Sequence, residues 1–113
     1  MQICGHNCAG EPETIADGLR SFLGDNTWPI VRDAVDEIVT VSEKEIKRWM
    51  RVVFERMKLV IEPSAAVGIA ALMSSSVKDM SFRSSGTPRV GVVLCGGNVD
   101  VSKLTRLLTG EEE

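Results

Sequence analysis

The chain has 113 residues, a formal charge of −3, 43% hydrophobic and 26% charged residues, the composition of one globular domain rather than of a disordered or fibrous chain. Aromatic residues make up only 4% and tyrosine is absent, so a core has to be built from Val, Ile, Leu, Ala and Met. The slightly acidic balance offers no broad footprint for nucleic acid, and the apolar runs are too short to cross a bilayer. The first ten residues carry no basic residue and no apolar block, so no signal peptide is read there, and three cysteines without framework spacing suit a reducing compartment. The expected location is cytoplasmic, with neither nucleic acid nor membrane as a partner.

Residues 1–12 hold Cys4, His6 and Cys8. A zinc site needs a fourth ligand or an open catalytic position, and no second Cys/His cluster supplies it, so the stretch reads as a flexible leader and no metal ligands are assigned. Glu13 to Leu19 contains Asp17-Gly18, a pair suited to a turn or helix cap. A loop over 21–27 gives way at Trp28-Pro29 to a short helix expected to reach Asp36, with proline at the tolerated first turn. Glu37 to Val41 is β-branched enough for a short strand.

Ser42-Glu43-Lys44-Glu45 has the form of a capping box and predicts a helix start. Ile46, Trp49, Met50, Val53, Met57 and Val60 recur at spacings of three and four, one inward stripe, with Lys44, Lys47, Arg51 and Glu55 toward water. The stripe ends at Ile61-Glu62-Pro63, where proline disfavours helical geometry at Glu62 and bends the chain at a carboxylate. A second helix is expected from Ser64 through Met73; it is apolar all round and should be buried on every side. Residues 74–88 read as a surface connection.

Val90 to Leu94 reads as a buried strand, Cys95-Gly96-Gly97 as a tight turn, Val99 to Leu108 as an amphipathic helix, and 109–113 as an acidic tail. In α/β proteins the carboxyl end of a strand meets a helix N-terminus where ligands commonly bind, and Cys95 and Asn98 are the polar groups best placed to face one. Two strands cannot make the sheet that this strand and the buried helix require, so the chain is expected to be part of a larger domain or of an assembly.

Three stretches can be read together: Glu13-Thr14-Ile15-Ala16-Asp17-Gly18, then Met57-Lys58-Leu59-Val60-Ile61-Glu62-Pro63-Ser64-Ala65, then Val93-Leu94-Cys95-Gly96-Gly97-Asn98-Val99-Asp100. In this order they resemble the carboxyl-terminal third of the serine racemase and serine/threonine dehydratase family, pyridoxal-phosphate enzymes of the tryptophan-synthase-β fold. Asn26-Thr27-Trp28-Pro29-Ile30 and Arg32-Asp33 are similar to the same family, with a lean toward its eukaryotic racemase branch. The similarity runs from about Pro12 to Leu104.

The resemblance implies an α/β fold, with residues 13–108 forming the C-terminal portion of the large, cofactor-binding domain, parallel strands flanked by helices. It implies pyridoxal phosphate as cofactor, serine or threonine as substrate, a homodimer, and ATP and Mg2+ as activators of the full-length enzyme. Cys95 would lie beneath the pyridine nitrogen, where racemases of the family mostly carry serine and liver-type dehydratases cysteine; a carboxylate would keep that nitrogen protonated, whereas a thiol leaves it neutral. Asp17 would be the catalytic-side acid that orients the substrate's hydroxyl or ammonium, while Gly18 and Glu62 would line the cofactor. Lys58 and Asn98 match positions that contact the nucleotide. Plain structural roles stand beside these: a buried small residue for Cys95, a turn for Asp17-Gly18, a helix cap for Glu62 and a solvated lysine for Lys58.

The sequence also departs from the family. It holds no Ser-Phe-Lys-type motif for the Schiff-base lysine, no Ser-x-Gly-Asn substrate loop, no run of four glycines for the phosphate and no carboxylate cluster for a divalent cation, and none of Lys44, Lys47, Lys58, Lys78 or Lys103 sits in a comparable motif. The chain is therefore expected to be a C-terminal part of such an enzyme that does not catalyse alone. The alternative is a non-catalytic module that pairs with a full-length homologous subunit.

Overall fold

Local capping decides where the helices begin. The Ser42 side chain accepts the Glu45 N–H at 3.3 Å and the Glu45 carboxylate accepts the Ser42 N–H at 2.8 Å. This box opens α2 (Glu43–Val52), which follows a shorter α1 (Trp28–Ala34) with Pro29 in its first turn. These elements come from a computed structural model that describes residues 13–78 and 89–109. The leader with Cys4, His6 and Cys8, most of the 74–88 connection and residues 110–113 lie outside the described residues.

The expected helix through Val60 ends earlier. Beyond Val52 the backbone widens into a π-type turn, Val53–Met57, and stops at Lys58, whose φ of 58° is left-handed. Lys58 Nζ donates to the Glu55 carbonyl at 2.8 Å, which satisfies one of the carbonyls orphaned at a helix end. The wider turn rotates Met57 out of the inward stripe, and Met57 and Val60 are 54% and 50% exposed, while Ile46, Met50 and Val53 remain buried.

Pro63 starts α3 (Pro63–Met73), preceded by Glu62 in the extended conformation that a following proline enforces. This helix is not buried on every side. Pro63, Ser64, Ala65, Ala66 and Ala70 are buried, whereas Val67, Gly68 and Ile69 are only half-buried, because the described residues cover one face of it. A single turn, α4 (Ser75–Lys78), follows. The last helix, α5 (Val101–Thr109), begins two residues later than expected because Asp100 caps it, its Oδ1 accepting the N–H groups of Ser102 and Lys103 at 2.8 and 3.2 Å.

The core is centred on α2, which packs against α3 on one side and α5 on another. Ala16, Ile46, Met50, Val53, Ile61, Ala65 and Ala66 form it, and Leu104, Leu107 and Leu108 of α5 pack against it. Small residues allow close approach: a Cβ on Gly68 of α3 would sit 3.1 Å from Val92 Cγ1, so the segment before Cys95 lies directly on this helix. By contrast α1 buries no residue and ends two residues short of Asp36, at an extended Val35.

Neither expected strand, 37–41 or 90–94, forms among the described residues. A strand exists only through its ladder, and no described segment supplies the neighbour that would complete one. One bond of the ladder type is present: the Glu62 N–H donates to the Gly96 carbonyl at 3.0 Å. Alongside it, Gly97 passes so near Val60 that a Cβ would lie 2.8 Å from the Val60 carbonyl oxygen. No helix among the described residues is long and apolar enough to cross a membrane.

Candidate functional site

The Pro63 bend delivers Glu62 to the glycine turn. With its backbone bonded to Gly96, Glu62 reaches on, and its Oε2 accepts the Asn98 N–H at 3.3 Å. A Cβ on Gly96 would lie 2.6 Å from Glu62 Cδ and 2.7 Å from each carboxylate oxygen. Main chain and side chain of one residue thus clasp the turn that follows Cys95. Glu62 stands at the N-cap position of α3 yet makes no side-chain cap bond there, so the plain capping role does not describe it.

The first turn of α3 organises a second strip. The buried Ser64 Oγ accepts the Gly18 N–H at 3.0 Å, and a Cβ on Gly18 would meet that oxygen at 2.9 Å. The same N–H is shared with Asp17 Oδ1 at 3.0 Å, within a tight 3₁₀ turn, Asp17–Leu19, closed by the Leu19 N–H on the Ala16 carbonyl and the Arg20 N–H on the Asp17 carbonyl. The other oxygen of Asp17 meets Lys103 Nζ at 3.4 Å. Through hydrogen bonding and charge, Lys103 holds the Asp17 carboxyl below its ordinary value of 3.8, with smaller help from the Gly18 N–H and Arg20. Asp17 is therefore an anion near neutral pH, able to orient a cation or a hydroxyl but holding no proton to give.

Five of the six residues singled out from the sequence fall along this strip: Asp17 and Gly18 on one turn, Glu62 at the head of α3, Cys95 and Asn98 on the glycine turn. The Cys95 thiol is exposed, so it is not the buried apolar residue that the plain reading expects. Lys58 stands apart, its ammonium donating to a carbonyl at the end of α2. Sequence reading missed Ser64 and Lys103. The serine after Glu-Pro is a weak signal for a turn-holding hydroxyl, and the Lys103–Asp17 contact spans 86 positions, beyond any local pattern. A concavity of about 410 Å³, lined by Arg51, Phe54, Glu55, Leu108 and Thr109, contains none of these residues. Among the described residues no three His, Cys, Asp or Glu side chains are grouped to hold a metal ion.

A family model described as pyridoxal-phosphate dependent enzyme matches residues 3–96. The chain belongs to that family. Within it the chain is 47% identical over 102 residues to serine racemase of Bos taurus, covering 90% of this chain and 30% of that protein. Two solved structures are similar: a pyridoxal 5'-phosphate-dependent aspartate racemase, with TM-score 0.76, 42% identity, and 83% of this chain and 29% of that one covered; and serine racemase from Dictyostelium discoideum, with TM-score 0.72, 42% identity, and 80% and 29% covered. The chain thus spans about three-tenths of the length of these relatives, and its fold is that of the matching part of a fold-type-II pyridoxal-phosphate enzyme. Pyridoxal phosphate is the cofactor of this family.

Of the residues present, Cys95 has donor chemistry that suits that cofactor: its exposed thiol is a weak donor compatible with an unprotonated ring nitrogen. Gly18 and Gly96 are accounted for by their close packing against Ser64 and Glu62.

Proposed function

We propose that the chain is the ring-side wall of a serine racemase-like pyridoxal-phosphate enzyme, acting on serine or threonine by racemisation and by dehydration to release ammonia. The observation that carries this is the clasped turn: Cys95 stands exposed at the mouth of a Gly-Gly turn fixed by both the main chain and the carboxylate of Glu62. The bound cofactor supplies an electron sink for loss of the substrate's α-proton. Cys95 would hold the ring nitrogen in its neutral form, Glu62 and Gly18 would shape the space beside the ring, and Asp17 would orient the substrate's ammonium or hydroxyl. Lys58 and Asn98 would meet an activating nucleotide, with Mg2+, near a homodimer interface; Lys58 spends one of its three ammonium donors on the Glu55 carbonyl and keeps two for such a contact.

On this reading the lysine that bonds the cofactor and the loop that holds its phosphate come from the remaining seven-tenths of the fold. The same remainder would add strands beside 90–94 and 60–62, giving the parallel sheet whose first bond is Glu62 to Gly96. Residues 13–108 then form the C-terminal portion of the large domain, 1–12 a leader and 109–113 an acidic tail, in a cytoplasmic enzyme. A second reading, a non-catalytic module that covers a homologous subunit, is favoured by one observation. Trp28, Ile30, Val35 and Ile38 are exposed on and beside a helix that buries nothing.

The test is Cys95→Asp in the assembled enzyme. A carboxylate there should protonate the ring nitrogen, change the visible spectrum and redistribute L-serine between racemisation and elimination. Unchanged spectrum and partition would overturn the role given to Cys95.

A further inference from the structure

The contacts around the wall close into a ring, and one side chain closes it. From Asp17 the path runs through the Gly18 N–H to Ser64 Oγ at 3.0 Å, up one residue pair to Glu62, and across to the glycine turn through Gly96 O and Asn98 N. It continues to Asp100, which caps α5 through the N–H groups of Ser102 and Lys103, and returns from Lys103 Nζ to Asp17 Oδ2 at 3.4 Å. Every other link joins neighbours in space that backbone or packing already holds. The Lys103 link ties α5 to the Asp17-Gly18 turn through a side chain that can swing away.

We infer that Lys103 is a positioning residue: its ammonium, carried on the first turns of α5, fixes the Asp17 carboxylate against the Gly18–Ser64 strip, where Asp17 faces the substrate. Both carboxylate oxygens are then committed, Oδ1 to the Gly18 N–H and Oδ2 to Lys103. This favours one orientation of the Asp17 carboxylate and lowers its pKa further below 3.8. The other charges facing Asp17 do not replace it. Arg20, beside the same turn, spends its guanidinium on the Thr14 carbonyl at 2.7 and 3.3 Å and adds only a small charge effect, and Glu62, near Gly18, carries a negative charge and offers Asp17 no counter-ion. The ammonium is half exposed, so the pair is strong enough to orient and weak enough to exchange Asp17 Oδ2 to an incoming substrate ammonium.

The substrate-facing part of this inference rests on the function proposed above; the positioning part does not. The test is a ¹³C NMR titration of the Asp17 carboxyl in the 113-residue chain, with circular dichroism to verify that each variant keeps its helices. Lys103→Met, which keeps the stem and removes the charge, should raise the Asp17 midpoint toward 3.8, whereas Lys103→Arg should keep it low. An unchanged midpoint in Lys103→Met, or an equal rise in both variants, would overturn the positioning role. Failure of the substrate-facing reading shows elsewhere, as an unaltered KM for L-serine when Asp17→Asn is assembled into the full enzyme, and leaves the titration untouched.

Discussion

If Glu62 clasps the glycine turn as described, alanine at position 96 should be harmful only while the carboxylate is there. Gly96 has no left-handed φ, so its backbone accepts alanine; the obstacle is the carboxyl group 2.6–2.7 Å from the new methyl. Ordinary contact lies at roughly 3.5–4.0 Å, so the carboxylate must retreat by about 1 Å. This stretches its 3.3 Å bond to Asn98 out of range. Overpacking costs about 1–3 kcal/mol and the lost hydrogen bond about 1 kcal/mol, offset by about 0.4–1 kcal/mol from the stiffer unfolded chain. Gly96→Ala should therefore destabilise by roughly 1–3 kcal/mol in the native sequence, and be neutral or slightly stabilising beside Glu62→Ala. Urea unfolding followed by far-UV circular dichroism gives the four corners of that double-mutant cycle. A coupling below about 0.5 kcal/mol would mean that the two residues act independently and would refute the clasp.

Other changes follow from the same geometry. Gly97→Ala should be worse than Gly96→Ala in the same urea assay, because its Cβ meets the Val60 carbonyl oxygen at 2.8 Å and main chain cannot swing aside. Met50, 1% exposed at the centre of the core, should cost about 2–5 kcal/mol when replaced by alanine. Ser42→Ala removes the cap of α2 and should cost about 1 kcal/mol, with the loss confined to the first-turn amides in hydrogen exchange. Asp17, held down first by Lys103, and Asp100, held down first by Ser102, both titrate below 3.8 in the folded chain. The unfolded chain therefore takes up these protons first as pH falls. Their contribution is complete above 3.8 and is lost as pH drops through the lower folded values, so the urea midpoint should fall in that window. The Asp17 part should shrink in high salt.

How much of this was legible in the sequence depends on how local each signal is. Ser42 with Glu45, Pro29 and Pro63 mark helix starts because the chemistry of a cap or a ring is complete within four residues. The end of α2 was not legible: the stripe of apolar spacing runs on to Val60, while the π-type turn and the left-handed Lys58 depend on how the chain leaves the core. Residues 37–41 and 90–94 carry strand-like composition, yet strand pairing is a property of two segments, and no described segment pairs with either. Asp17, Gly18, Glu62, Cys95 and Asn98 are singled out by three motifs read in order, and the fold places them along one strip. Ser64 and Lys103 were not found because their meaning lies in contacts 46 and 86 positions away.

The central claim is that this chain supplies one wall of a pyridoxal-phosphate site whose bonding lysine lies in the rest of the fold. Its most direct test is the visible absorption of the chain mixed with pyridoxal phosphate, alone and together with the lysine-bearing portion of a family enzyme, before and after borohydride. The account predicts a borohydride-sensitive band of defined stoichiometry only in the pair, lost when the partner's lysine is replaced. A stoichiometric band in the chain alone would place the bonding lysine here, and no band in the pair would contradict the account.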